Sequence, residues 1–268
     1  MVRYAARVTP VVGRKIAWLL VAAALVLSAA MMMQSVDAQS APARYQVLVF
    51  SRTTGFRHDS IPDAIQAVRV LGQQNGFVAD ATEDPSVFTD AGLAPYSAVM
   101  FLMTTGDVLD EGQQTAFERY IQAGHGFVGV HSASDTEYDW PWYGALLGTY
   151  FASHPDIQVA TLHPEVVLEE SVTLPDPWVR TDEWYNFRIN PRTGQDIHVL
   201  ASLDEASYQG GTMGDHPIAW YHTYDGGRAW YTAGGHTRES YLEPLFLDHL
   251  RQGIEYAALG AATGMQPE

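Results

Sequence analysis

Four histidines, His58, His131, His154 and His236, stand in polar stretches far apart along the chain, and the acidic pair Asp182-Glu183 lies between the last two. Imidazole changes charge near neutrality, and with carboxylates it suits general acid–base chemistry or metal ligation. Two absences narrow the choice. The chain has no cysteine, so it has neither disulfides nor a thiolate nucleophile. Its only lysine is Lys15, near the N-terminus, which leaves none further along for a Schiff base.

His131 is the first candidate base or metal ligand, because it follows the apolar run Gly126–Val130 directly and is trailed by the polar Ser132 and Asp135. His236 sits in Gly-Gly-His-Thr, where glycines let backbone approach a ligand closely. Glu183 is a second acid or base if the neighbouring Trp184 desolvates it and raises its pKa. His131, His236 and Glu183 therefore form the expected catalytic set. Arg57 and His58, Thr105, Ser132, Asp135, Trp140, His154, Trp184 and Tyr185 are expected to bind substrate, Arg57 through its guanidinium fork and the aromatics by stacking. The competing reading for each is structural: a histidine bonded in a turn, or Trp140, Trp142 and Tyr143 as a hydrophobic lid. Zinc or a similar ion suits the ligand types, but no short His-x-His or His-Glu-x-x-His spacing supports one, and a metal-free pocket is preferred.

These loops need a scaffold. Tyr45–Phe50 is a short apolar run ending in polar residues, as a buried strand does, and Phe77–Ala81, Ser97–Met103 and Gly126–Val130 read as further strands. Helices alternate with them. One is expected after Ser60, capped by it with Asp63 and ended by Asn75-Gly76; another starts at Asp110 with Gln113 and stops at Gly124. Alternating strands and helices predict an α/β fold with a mostly parallel sheet covered on both faces. Ligands collect at the carboxyl ends of such strands, which brings Arg57, His58, Thr104, Thr105 and His131 together. In the second half, Ile157–Leu162, Ile197–Leu203, Ile218–His222 and Arg228–Thr232 are candidate strands, the last two joined by a hairpin at Asp225-Gly226-Gly227. Ser240 and Glu243 predict a capping box for a final helix with Leu242, Phe246, Leu250 and Ile254 facing inward.

The N-terminus reads as targeting. Arg3, Arg7, Arg14 and Lys15 precede the apolar run Ile16–Met33, and small residues follow at Val36-Asp37-Ala38. Residues 1–38 are expected to be a signal peptide or, uncleaved, an N-terminal membrane anchor, which makes the destination secreted or periplasmic. A lipoprotein is excluded for want of cysteine. Without residues 1–38 the chain keeps 11 basic against 30 acidic residues, a formal charge of −19, which disfavours nucleic acid as a partner. What remains suits one domain, residues 44–260, and a polar tail, 261–268.

The segments Gly55-Phe56-Arg57-His58, Gly126-Phe127-Val128-Gly129-Val130-His131-Ser132-Ala133, His154-Pro155, Asp182-Glu183-Trp184-Tyr185, His216-Pro217-Ile218-Ala219-Trp220 and Gly234-Gly235-His236-Thr237 together resemble the ThuA-like (trehalose utilisation) domain family. The resemblance spans about Tyr45–Leu259. It implies a flavodoxin-like fold similar to class I glutamine amidotransferases, whose catalytic cysteine occupies a tight turn after a central strand. Here that turn carries His131, so glutaminase activity is not expected. The resemblance also implies work on glycosides or 3-keto-glycosides, a small-molecule sugar partner, and elimination or isomerisation through a histidine base. The alternatives are a noncatalytic envelope sugar-binding module and a metal-dependent hydrolase.

Overall fold

The apolar run after residue 44 forms β1 (Tyr45–Phe50) in a computed structural model that describes residues 43–165, 174–194 and 196–260. The expected targeting segment and polar tail lie outside the described residues. Among the described residues no helix is long and apolar enough to cross a membrane.

The strands that follow are β2 (Phe77–Thr82), β3 (Ala98–Leu102), β4 (Gly126–Val130), β5 (Phe151–Ser153), β6 (Gln158–Pro164), β7 (Trp178–Asp182), β8 (Asn186–Phe187), β9 (His198–Leu203), β10 (Pro217–Tyr224) and β11 (Gly227–Thr232). Nine of them make one sheet in the order β2, β1, β3, β4, β11, β10, β9, β6, β7, while β5 pairs with β8. The first five in that order run parallel to one another. This is the flavodoxin-like order, with β11 in the fifth place, and the α/β expectation holds. Beyond β11 each strand is antiparallel to its neighbour, an extension that the alternating pattern of the first half does not predict.

From β1 the chain crosses to β2, and from β3 it crosses to β4 in the opposite direction. Right-handed crossovers therefore put α1 (Ile61–Asn75) and α2 (Glu111–Gln122) on opposite faces. The last helix, α4 (Pro244–Leu259), packs with α1, and α3 (Pro141–Leu147) packs with α2. Both faces of β3 and β4 are thereby covered, which is why these strands are apolar throughout. Phe101 of β3 lies 5.4 to 5.9 Å, ring to ring, from Phe50, Phe88, Phe117, Phe127 and Tyr143. Emptying such a site costs about 3–5 kcal/mol.

Local signals were honoured unevenly. Asp110 and Gln113 close a reciprocal capping box on α2, and Asp225 and Gly226, both at positive φ, turn the β10–β11 hairpin. Ser60 makes no capping bond; its hydroxyl donates instead to the carbonyl of His236 at 2.6 Å. The last helix starts at Pro244, so Ser240 and Leu242 precede it in a 3-10 turn, and Leu242 is exposed rather than buried. Phe246, Leu250 and Ile254 do face inward.

His249 of α4 is enclosed by Trp178, Trp230 and Phe246. Burial, with a smaller push from Arg180, lowers its pKa to about 3. A depressed histidine contributes stability above its unfolded pKa, near 6.5, and loses it as pH falls toward the folded value, at about 1.4 kcal/mol per pH unit. Urea unfolding at pH 7.5 and 5.0 checks this: His249→Leu is expected to reduce the stability difference between the two pH values by about 2 kcal/mol. An unchanged difference would contradict the assignment.

Candidate functional site

Above the carboxyl edge of the sheet the loops stay zipped together. Thr53 bridges Thr105, and Gly106 bridges Thr136, so the loops after β1, β3 and β4 extend the parallel register beyond the strands. The Thr105 hydroxyl donates to the Phe56 carbonyl at 2.7 Å, which holds the segment carrying His58. Two non-glycine residues at strand ends, Met103 and His131, take positive φ of 51° and 52°. The left-handed turn is mildly costly, of order 1 kcal/mol for a residue with a side chain, and it swings the His131 ring over the top of the sheet.

His131 is fully buried. Its Nδ1 lies 2.7 Å from the Ala233 carbonyl, which can only accept, so Nδ1 carries the proton and Nε2 presents a lone pair. That lone pair faces His236 Nδ1 at 3.1 Å and Glu183 Oε2 at 3.4 Å, and His236 Nδ1 is 3.1 Å from the same oxygen. His58 adds a third imidazole, its ring centroid 4.8 Å from that of His131 and 4.9 Å from that of His236. One ligand atom from each of His58, His131, Glu183 and His236 falls within 4.8 Å of all the others. Such a set suits either proton transfer or a metal ion.

His154 approaches from the β5 side. Its Nδ1 lies 2.9 Å from the Pro155 carbonyl and 3.1 Å from Glu183 Oε1, so Nδ1 is again the donor and Nε2 keeps its lone pair. With 42% of its side chain exposed, against 19% for His236 and 9% for Glu183, it is the imidazole most open to solvent. Tyr185 lies against His131 with ring centroids 4.2 Å apart and planes tilted by 34°, and Phe151 packs against Tyr185 and His154, forming an aromatic wall. Phe56, 65% exposed, sets its ring edge-on to His58 at the rim.

Charge is distributed accordingly. Burial and then the neighbouring His131 and His236 push the pKa of His58 down to about 2, which keeps it neutral. Burial alone would raise Glu183, as the neighbouring Trp184 suggests, but the imidazoles of His131 and His236 beside it outweigh burial and the carboxylate falls well below its usual range. Burial pulls His236 down, yet its bond and attraction to Glu183 prevail and raise it.

Asp182 explains how the last loop is held. It is fully buried and accepts from the N–H groups of Gly235 at 2.8 Å and His236 at 3.0 Å. Arg180 pairs with it at 3.1 Å, bonds Glu243 and Ser240, and lies 4.3 Å above the Phe246 ring. Gly235, at φ +110°, makes the turn, and a Cβ at Gly234 would stand 2.6 Å from Arg180.

Some expected ligand-binding residues lie elsewhere. Arg57 is exposed and paired with Glu83 at 2.6 Å. Trp140 donates to Glu118 and stacks on Trp142 and Tyr143 against α2, so these rings are a lid on the core. Trp184 is fully buried and donates to the Gln158 carbonyl. Asp135 accepts from Tyr138 at 2.6 Å, whereas Ser132 does stand at the cluster, its buried hydroxyl 3.5 Å from His58 Nδ1. The sequence offers Asp182 only as half of an acidic pair and Ser60 only as a helix cap, and gives Phe56, inside the Gly-Phe-Arg-His segment, no role of its own.

Removing Asp182 strands three backbone donors, those of Glu183, Gly235 and His236, in a buried setting and leaves Arg180 with Glu243 and Ser240 alone. Asp182→Ala is expected to cost about 3–5 kcal/mol in denaturant unfolding, clearly more than Glu243→Ala at the more exposed end of the same guanidinium. Equal costs would contradict this anchoring role.

A ThuA-like protein from Bacteroides uniformis ATCC 8492 superimposes with a TM-score of 0.69 at 24% identity, covering 81% of this chain and 92% of that one. One from Parabacteroides merdae ATCC 43184 gives 0.67 at 20% identity, covering 85% and 94%. The cytoplasmic protein STM3548 from Salmonella typhimurium gives 0.52 at 11% identity, covering 79% and 98%. At these identities the likeness is one of fold. No curated protein matches the sequence. The family model described as trehalose utilisation matches residues 46–257, most of the chain, and on that match the chain belongs to the ThuA family.

Proposed function

We propose that the chain is an enzyme of sugar chemistry that acts on glycosides or their 3-keto derivatives by removing a proton beside a carbonyl. The observation that carries this reading is the His154–Glu183 pair beside a cluster of three imidazoles, His58 and His131 buried and His236 partly so. His154 has the arrangement a general base needs: Nδ1 is oriented by a carboxylate and a carbonyl, which leaves the lone pair on Nε2, and 42% of the side chain is exposed. His131, first expected as the base, is fully buried, and its Nε2 already faces Glu183 and His236. It belongs to the floor, where the neutral His58 and His236, whose pKa is raised, keep N–H groups for the oxygen on which negative charge develops, while His131 spends its one proton on Ala233.

In a 3-keto-glycoside the C2 proton is acidic and the anomeric oxygen lies β to the ketone. The base takes the C2 proton, the C–H electrons form the enolate, and collapse of the enolate expels the glycosidic oxygen, which gains a proton as it leaves. The alternative outcome, reprotonation on the other face, is isomerisation. Phe56 offers an exposed ring to the sugar face at the rim. With no cysteine in the chain, hydrolysis of glutamine through a thioester is no part of this reading.

Assays with 3-keto-trehalose and 3-keto-glucosides test it. His154→Ala is expected to lower kcat by about 100-fold or more while sugar affinity by calorimetry changes little. Phe56→Ala is expected to raise KM several-fold at nearly unchanged kcat. Turnover unaffected by His154→Ala would overturn the mechanism, and sugars bound but returned unchanged by the wild-type chain would favour a noncatalytic binding module.

A further inference from the structure

We infer that the floor of the pocket is a divalent transition-metal centre whose ligands are His58, His131, His236 and Glu183. The inference stands on the geometry of these four side chains and not on the sugar reading above.

Three atoms carry the argument: His131 Nε2, His236 Nδ1 and Glu183 Oε2 form a triangle with edges of 3.1, 3.1 and 3.4 Å. Ligands about 2.1 Å from zinc at the tetrahedral angle stand about 3.4 Å apart, so the triangle has the size of one face of such a shell. His58 completes a set of three nitrogens and one oxygen within 4.8 Å. Hydrogen bonding accounts for the triangle less well. His131 spends its one neutral proton on Ala233, so Nε2 and Oε2 both come to the triangle as acceptors, and only His236 Nδ1 is left to donate. A cation satisfies all three lone pairs at once.

The surroundings agree. A metal-bound histidine usually gives its other N–H to a carbonyl or carboxylate, which fixes the tautomer and ring plane, and the His131–Ala233 bond at 2.7 Å does so here. Asp182 fixes the backbone of His236 through two N–H bonds, and Ser60 grips the His236 carbonyl. The donor set of imidazoles and one carboxylate suits zinc, iron(II), manganese(II) or nickel(II) rather than calcium or magnesium. Glu183 Oε1 remains directed at His154, so a metal on Oε2 leaves the proposed base in place.

The test uses the full chain without any substrate. Elemental analysis after extensive dialysis, followed by calorimetric titration of the metal-stripped protein with zinc chloride and with cobalt(II) chloride, reads binding directly. About one ion per chain is expected, with cobalt(II) giving visible absorption of a nitrogen- and oxygen-ligated ion. Glu183→Gln and His236→Ala are expected to weaken binding by 10-fold or more, whereas His163→Ala, an exposed histidine paired with Asp176, leaves it within about twofold. Circular dichroism melting identifies any variant that fails to fold, and the cobalt spectrum of Glu183→Gln then decides alone: an unaltered spectrum counts against the centre. No saturable site for either ion, or a site indifferent to Glu183→Gln and His236→Ala, overturns the inference. Loss of the keto-sugar activity with metal binding intact would overturn only the function proposed above.

Discussion

One hydrogen bond organises the pocket: His131 Nδ1 to the Ala233 carbonyl, 2.7 Å long and fully buried. It joins the turn after β4 to the loop after β11, two neighbouring parallel strands, and settles which nitrogen of the ring points inward. Without it the ring would be free to present either nitrogen, and the contacts of Nε2 with His236 and Glu183 would lose their direction. The positive φ of His131 breaks the strand geometry at this point, where an extended residue would send its side chain to one face of the sheet.

The other ligand-bearing loops are fastened by groups that touch no substrate. Asp182 at the end of β7 reaches across to the Gly235 and His236 N–H groups, so the antiparallel half of the sheet positions a residue carried by the parallel half. Ser60, at the start of α1, holds the opposite side of the same loop. Arg180 neutralises Asp182, which makes a buried carboxylate tolerable beside a cluster of imidazoles. The site is thus rigid because every one of its loops is bonded to another loop, and this preorganisation is what electrostatic catalysis or metal ligation requires.

Much of this frame was legible in the chain. Strands β3 and β4 are continuous apolar runs, β1 is one from Val47 on, and α2 carries a capping box, so the convergence of His58, Thr105 and His131 followed from topology alone. What escaped did so for identifiable reasons. β7 hides because Arg180 and Asp182 face inward as an ion pair, which breaks the apolar pattern of a buried strand. Ser60 and Ser240 have the spacing of helix caps, but tertiary partners claim their hydroxyls. Trp140 and Trp184 read as sugar platforms because composition cannot distinguish a ring facing a pocket from one facing a core. The metal-ligand set has no sequence spacing at all, since each ligand comes from a different loop and only the sheet brings them together.

His131 is locked as the Nδ1–H tautomer, with its Nε2 lone pair turned into the cluster. Two-bond 15N–1H correlation spectra of histidine-labelled protein at neutral pH read this directly. The account predicts a His131 ring protonated at Nδ1 with Nε2 unprotonated or metal-bound. A ring protonated at Nε2, or at both nitrogens, would contradict it.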